Sequence, residues 1–501
     1  MKALESMRTA TVIGLVAAAA CAKDARILSG PASTRSPQFA VLSAASAAAG
    51  APTGRHLVSF TAGAPADFAA QVRAAGGTVL WVSSDAGLAS VSGLQESGAA
   101  ALARRQGIQS LVADVAIALD DPGVRAARVV APDAIASQVN PAAAFFFGLQ
   151  WNLLAVRADA AWAAGFRGQP NVSVFILDSG IDYRHLDLRT LVDPTRSVDL
   201  LGTFLTPAVV NGDTVIVRFT EADTVAKYFP GRASFTDLFF HGTHVAATVS
   251  SRALVTAGVT SQTTLVAVKV CAYINACPFS SILGGVIYAA DRGADVINLS
   301  VGGAFPKAGN GRFVGFINKV FNYARSRGVT IVVAAGNEAA DLDHDGNSYA
   351  AYCSTPAVIC VAATGPTAQA SDFGPWTNVD APAFYTNFGR SAINVAAPGG
   401  NNRVTFVWAA CSETIYPPLA AELHLEDCLT FPTVIIGLEG TSMAAPHVSG
   451  AAALLVPIVG RSPARIKARL QQSADNVAGN GTSPFYGKGR LNIGRAVGAI
   501  P

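Results

Sequence analysis

The chain has 501 residues, 51% of them hydrophobic and 14% charged, with a formal net charge of +3. It can therefore bury a large core, and with no basic block to track phosphates it is not expected to bind nucleic acid. The length exceeds one typical domain, but roughly the first 150 residues read as segments with other tasks, which leaves one main domain.

Residues 12–20 form a short apolar run after Arg8, too brief to cross a bilayer and close to small residues, the pattern of an export signal over residues 1–22. Export places the protein outside a bacterial cell or in its envelope. Ala18-Ala-Ala-Cys21 is a weak lipobox, in which Cys21 would become a lipidated N-terminus and attach the chain to a membrane. Ordinary cleavage near residues 20–22 is the alternative.

Residues 55–119 read as strand 56–60, helix 66–75, strand 78–83, strand 88–92, helix 96–105 and strand 108–119. That βαββαβ order describes a small ferredoxin-like α+β unit. Residues 120–147, rich in Ala, Pro and Val without clear periodicity, read as a linker. From residue 148 to 501, apolar runs at 172–177, 265–270, 296–299, 330–334, 358–362 and 393–395 alternate with Ala-rich helical stretches. Runs of that length suit strands buried on both faces of a parallel sheet, so an α/β fold with a doubly wound parallel sheet is predicted. The run 451–459 contains Pro457 and reads as a buried helix end, too short and too broken to span a membrane.

Active groups in such folds gather at the carboxyl ends of strands. Asp178 follows the run 172–177, Ser300-Val-Gly-Gly303 follows 296–299, and Ala335-Gly-Asn337 follows 330–334. Further on, Gly440-Thr-Ser-Met-Ala-Ala-Pro-His-Val-Ser-Gly450 sets a serine at the start of an Ala-rich apolar segment. A helix N-terminus there would offer N–H groups and a positive dipole end to a developing oxyanion. A serine hydroxyl is a poor nucleophile without a base, and His241-Gly-Thr-His-Val245 supplies candidates. Taken singly, Asp178 reads equally as a turn former, Ser442 as a helix cap and the two histidines as half of a metal site. A zinc motif H-E-x-x-H is not met, because Gly242 and Thr243 stand between the histidines. Nor is the esterase elbow G-x-S-x-G, because Ala444 stands at its last position.

Taken together, in the order Asp, His, Ser, the segments around Asp178, His241 and Ser442 resemble the catalytic motifs of the subtilisin-like serine peptidases, the subtilase family. The resemblance runs from about residue 150 to the C-terminus and takes in Tyr385-Thr-Asn-Phe-Gly389, Asn394-Val-Ala-Ala-Pro-Gly399 and Tyr486-Gly-Lys-Gly-Arg-Leu-Asn492. It departs from the family pattern at 191–240 and 401–433, which are longer and read as surface insertions. The resemblance implies that Asp178, His241 and Ser442 are catalytic, with His241 rather than His244 as the base. It implies that the Asn337 side chain and the Ser442 N–H hold the oxyanion. It also implies that Ser300, Val301, Gly302 and Gly303 pair with substrate backbone. Val301 and Gly336 then border an apolar primary pocket with Glu338 at its rim.

The resemblance likewise implies that residues 55–119 are an inhibitory propeptide cut off within 120–147, with a retained accessory domain as the alternative, and that the substrates are proteins or peptides. The chemistry requires no cofactor, and a monomer is expected. The alternative is a surface-attached binding protein whose propeptide never leaves the cleft.

Asp341-Leu-Asp-His-Asp-Gly346 sets three carboxylates at alternating positions and resembles the first half of a calcium loop. Tyr352 stands where a complete loop needs glutamate, so Asp341, Asp343 and Asp345 are a candidate structural calcium site weighed against a solvated acidic turn. Asp187 resembles another calcium ligand of the family. Apart from Cys21, the cysteines fall into three local pairs, Cys271 with Cys277, Cys353 with Cys360 and Cys411 with Cys428. In an exported chain they suggest three disulfides, among the 15 pairings that six cysteines allow.

Overall fold

The strands of the main domain are apolar on both faces, and this decides the architecture. In the computed structural model, which describes residues 50–119, 126–129, 140–210, 213–402, 405–479 and 481–501, they form one parallel sheet. The signal segment with Cys21 and most of the linker lie outside the described residues.

In chain order the N-terminal unit consists of β1 (Pro52–Phe60), α1 (Phe68–Ala74), β2 (Thr78–Ser83), β3 (Leu88–Ser92), α2 (Glu96–Ala103) and β4 (Ile108–Ile117). Its antiparallel sheet runs β4-β1-β3-β2, and its small core gathers Val58, Phe60, Phe68, Val72, Val91, Leu102 and Ile108. A core of that size is marginal alone. The far edge of β4 pairs with the short strand Cys277–Pro278 of the main domain, so the unit's sheet continues across the boundary.

Next comes β5 (Ala126–Arg128), a short strand within the linker 120–147. Those three residues add an antiparallel edge to a strand at Ile435–Leu438. No periodicity exists over so few residues; the partner strand supplies the hydrogen bonds.

The main sheet contains β6 (Ser173–Asp178) and the edge strand β7 (Val198–Asp199). The segment 191–240 then builds a hairpin of β8 (Thr203–Val210) and β9 (Asp213–Thr220) followed by α3 (Glu221–Tyr228). After α4 (His241–Val249) come β10 (Thr264–Lys269), β11 (Cys277–Pro278) and α5 (Phe279–Asp291). Then follow β12 (Val296–Leu299), α6 (Gly311–Ser326), β13 (Thr330–Ala334), β14 (Val358–Thr364) and β15 (Val395–Pro398). Seven of these strands make the parallel sheet, in the order β15-β14-β13-β12-β6-β10-β7. The second insertion, 401–433, contributes β16 (Val407–Ala410), which pairs with β17 (Ile435–Leu438).

The long core helix is α7 (Thr441–Val459), and residues 451–459 are its C-terminal end, largely buried as read from the sequence but continuing through Pro457 rather than breaking at it. The helix passes through both Pro446 and Pro457 and is 19 residues long, apolar enough to cross a bilayer by composition. It is instead the core helix, packed on β12 to β15, and its first sixteen residues are buried. The six cysteines pair as their spacing suggested, Cys271–Cys277, Cys353–Cys360 and Cys411–Cys428.

Candidate active site

Asp178 closes β6 and is fully buried, its Oδ1 accepting the backbone N–H of Ser179 at 2.7 Å. His241 opens α4, and its Nδ1 donates to the same Asp178 oxygen at 2.7 Å. A neutral imidazole bonded in this way carries its lone pair on Nε2, which makes that nitrogen the basic one. The strand end and the helix start are held in register by glycines. A Cβ at Gly242 would lie 2.1 Å from Gly180 O, and one at Gly180 would lie 2.5 Å from Phe235 O.

The start of α4 is fixed by a residue that the sequence reading passed over. Asp237, fully buried, accepts from the amides of Phe239, Phe240 and Thr243 and from the hydroxyls of Thr243 and Ser179. A carboxylate with so many donors satisfies the orphan amides of a helix N-terminus. The signal was legible, since an aspartate shortly before an apolar helical stretch is a capping pattern. Phe240 takes a left-handed φ of 127° just before His241, a strained conformation retained because its buried ring stacks on Phe239 at 4.4 Å.

Ser442 is the second residue of α7, on a helix packed against α4. Its Oγ donates to Ser300 O at 3.0 Å, and Ser300 Oγ donates back to Ser442 O at 2.8 Å. The second bond follows from Pro446. Proline has no N–H, so Ser442 O lacks its usual helical donor four residues on, and the Ser300 hydroxyl replaces it. Ser300 is itself aimed by Asn298, whose Nδ2 donates to its Oγ at 3.0 Å and whose Oδ1 accepts from Ser449 at 2.7 Å.

Asn337 is oriented by Thr441, another residue the sequence reading missed. Asn337 Oδ1 accepts both the Thr441 amide and the Thr441 hydroxyl at 2.9 Å, which turns the Nδ2 donor to the other side. The same hydroxyl accepts Gly336 N–H at 3.0 Å. Gly336, at φ 99°, admits no side chain, because a Cβ would lie 2.4 Å from Asn387 Nδ2.

Gly302, Gly303 and Gly336 border a cavity of about 330 Å³ together with Ala335, Leu342, Ala351 and Glu338. Val301, expected in its wall, is fully buried in the main core and does not line it. Asp341 and Asp345 do line it.

The three aspartates of the candidate calcium loop do not converge. Asp341 Oδ2 pairs with His344 Nδ1 at 2.8 Å, and that bond holds its carboxyl below the usual range. Asp343 accepts from Ser391 Oγ and from the amides of Arg390 and Ser391, while Asp345 pairs with Lys307. Among the described residues no group of three or more His, Cys, Asp or Glu side chains is arranged to hold a metal ion. Asp187, buried, accepts from the amides of Leu254, Val255 and Thr256, so its charge is compensated by the backbone. In this arrangement each of these carboxylates takes its own protein donors rather than sharing a common centre with the others.

The remaining histidines of the motifs are structural. Burial pushes His244 down to about 3, and its Nε2 donates to Val407 O at 3.0 Å. Burial likewise lowers His447 to about 4, with Nδ1 donating to Met443 O and Nε2 accepting from Asn152 Nδ2.

Comparison with known proteins gives consistent results. The sequence model of the Subtilase family matches residues 169–489. Thermitase of Thermoactinomyces vulgaris is 29% identical over 359 residues, covering 70% of this chain and 97% of the relative. Subtilisin DY of Bacillus licheniformis is 29% identical over 345 residues, covering 68% and 94%. Among solved structures, the epidermin leader peptide processing serine protease of Staphylococcus aureus shares the fold, with a TM-score of 0.63 at 19% identity, covering 89% of this chain and 98% of that one. The nisin leader peptidase of Lactococcus lactis does so with a TM-score of 0.54 at 19% identity, covering 72% and 96%.

Proposed function

This chain belongs to the Subtilase family and is a serine endopeptidase, and we propose that it is made as an exported bacterial precursor with Asp178, His241 and Ser442 as its catalytic triad. The observation that carries the reading is the fully buried Asp178–His241 pair at 2.7 Å, with Ser442 in the first turn of a helix packed on that of His241. His241 Nε2 takes the Ser442 proton as Oγ attacks the peptide carbonyl carbon, and Asp178 stabilises the imidazolium without taking that proton itself. The Ser442 N–H and the Asn337 amide receive the oxyanion. Collapse returns the proton to the departing amine and leaves an acyl-enzyme, which water then hydrolyses by the same route reversed.

Ser300 to Gly303 provide the edge along which substrate backbone pairs, and their glycines permit its close approach. The cavity beside them, walled by Ala335, Leu342 and Ala351, favours apolar side chains, and Glu338 gives a basic one a partner. Residues 55–119 act as the inhibitory propeptide, a ferredoxin-like unit removed by a cut within 120–147. The packing of β4 beside β11, with Ile117 against Gly303, supports its blocking the cleft. A signal over residues 1–22 directs export, with Cys21 lipidation as the route to a membrane-attached form.

Ser442→Ala and His241→Ala should each abolish hydrolysis of a casein-type substrate and leave the precursor at full length. His244→Ala, if folded, should keep measurable turnover. Undiminished turnover by pure Ser442→Ala enzyme would refute the triad.

A further inference from the structure

The N-terminal unit makes contacts beyond the cleft, and one of its most buried polar residues serves them. Arg55, on the inner strand β1 of a small unit's sheet, is only 2% exposed although it is an arginine. Its guanidinium faces two opposite charges, Asp114 of the unit itself and Asp199 of the main domain, while its hydrogen bonds go to the main domain. One nitrogen donates to Ser281 Oγ at 2.8 Å, and the other donates to Leu201 O and to Thr203 O, at the root of the β8–β9 hairpin. The group lies over the ring of Phe204, 5.6 Å from its centroid. Alongside, the Leu205 side chain meets the backbone of Gly54, where a Cβ would lie 2.7 Å from it. A separate apolar cluster joins Ala116 of the unit to Leu201, Phe204, Ala272 and Ala276 of the main domain.

The hairpin is also anchored to the enzyme's core. Glu221, directly after β9, forms a buried ion pair with Lys269 and accepts the Tyr273 amide at 2.8 Å. Lys269 ends β10 in register with Asp178. The first insertion is therefore anchored, through Glu221, to the strand next to the one that carries Asp178, and the base of its hairpin faces the unit.

We propose that the base of the β8–β9 hairpin, Leu201 to Leu205, makes the hairpin a docking arm for the N-terminal unit, one that holds Arg55 together with Ser281 and so sets how fast the unit leaves after the chain is cut. This rests on the reading of residues 55–119 as a propeptide. Occupation of the cleft blocks substrate; the arm governs the dissociation rate, because charged hydrogen bonds in a buried contact are lost only when the unit departs.

The test uses the full-length precursor, allowed to process itself, with Arg55→Met and separately Leu205→Ala. Co-elution of the N-terminal fragment with the enzyme on size exclusion and the lag before a chromogenic peptide is hydrolysed are the readouts. Arg55→Met is the sharper variant, since the mature enzyme it releases carries no substitution. The fragment should leave about tenfold faster or more, the magnitude expected for losing charge-assisted hydrogen bonds. The lag should shorten in proportion, and final kcat/KM should match wild type. Leu205→Ala leaves the unit's own sequence intact and should act in the same direction, which covers the case in which Arg55→Met disturbs the unit's folding. A normal cut followed by unchanged release and lag in both variants overturns the arm while leaving the propeptide reading in place. A wild-type chain that is never cut overturns both.

Discussion

At the residue scale, the site depends on side chains that position others. Thr441 occupies a junction, with its hydroxyl accepting from Gly336 N–H and donating to Asn337 Oδ1, so that the Asn337 amide is held with its donor turned away from Thr441. Thr441→Val keeps the shape and removes both bonds. We expect kcat to fall by roughly 10- to 100-fold with KM within about twofold, because a misaimed donor is felt where charge develops and not in the ground state. The upper bound, about 100- to 1000-fold for losing the donor outright, is a value known for this family and not one drawn from the geometry. Thr441→Ser should restore most of the rate. A KM effect as large as the kcat effect would show that Thr441 shapes substrate binding instead. Asp237 works by the same logic on His241, through the helix start it caps.

At the scale of elements, two features depart from what local sequence suggests, and both have local physical causes. Helix α7 tolerates Pro446 because the carbonyl it orphans, that of Ser442, accepts the Ser300 hydroxyl, a partner from a strand end 142 residues away. The acidic loop 341–345 has the charge pattern of a cation site, yet its carboxylates reach for different protein donors, Asp343 toward Ser391 and Arg390. Asp343→Asn should therefore lower the melting temperature by the same amount in chelator and in millimolar-range calcium. Measurements belong on the Ser442→Ala background, where self-digestion cannot imitate a ligand effect. A stabilisation by calcium that Asp343→Asn removes would establish the cation reading instead.

At the scale of the whole molecule, buried neutral histidines tie stability to pH. His447 has a folded value near 4, against 6.5 for the free group, because burial excludes its charge, and Asn152 and Met443 fit the neutral ring. Below about pH 6.5 the unfolded chain takes up a proton that the folded one refuses. Stability from this group is thus complete above 6.5 and declines as pH falls toward 4, by on the order of 3 kcal/mol in all. His244 adds a parallel loss that extends to about 3. His447→Gln on the inactive background should flatten the fall of melting temperature between pH 6.5 and 4. Identical slopes would show that other groups govern acid unfolding. The sequence by itself determined the chemistry and the broad architecture: the triad motifs, the runs buried on both faces of a parallel sheet, the order of elements in the N-terminal unit, and the cysteine pairs. These are legible because each is a short-range pattern of periodicity, spacing or motif. Only the tertiary structure decided that Val301 turns into the core, that Asp341, Asp343 and Asp345 take separate donors, that Thr441 aims Asn337, and that Arg55 reaches Ser281, Leu201 and Thr203. Each of those depends on which distant donor, acceptor or apolar wall the fold brings within about 3–4 Å, a matter of packing and hydrogen bonding that no local window of sequence contains.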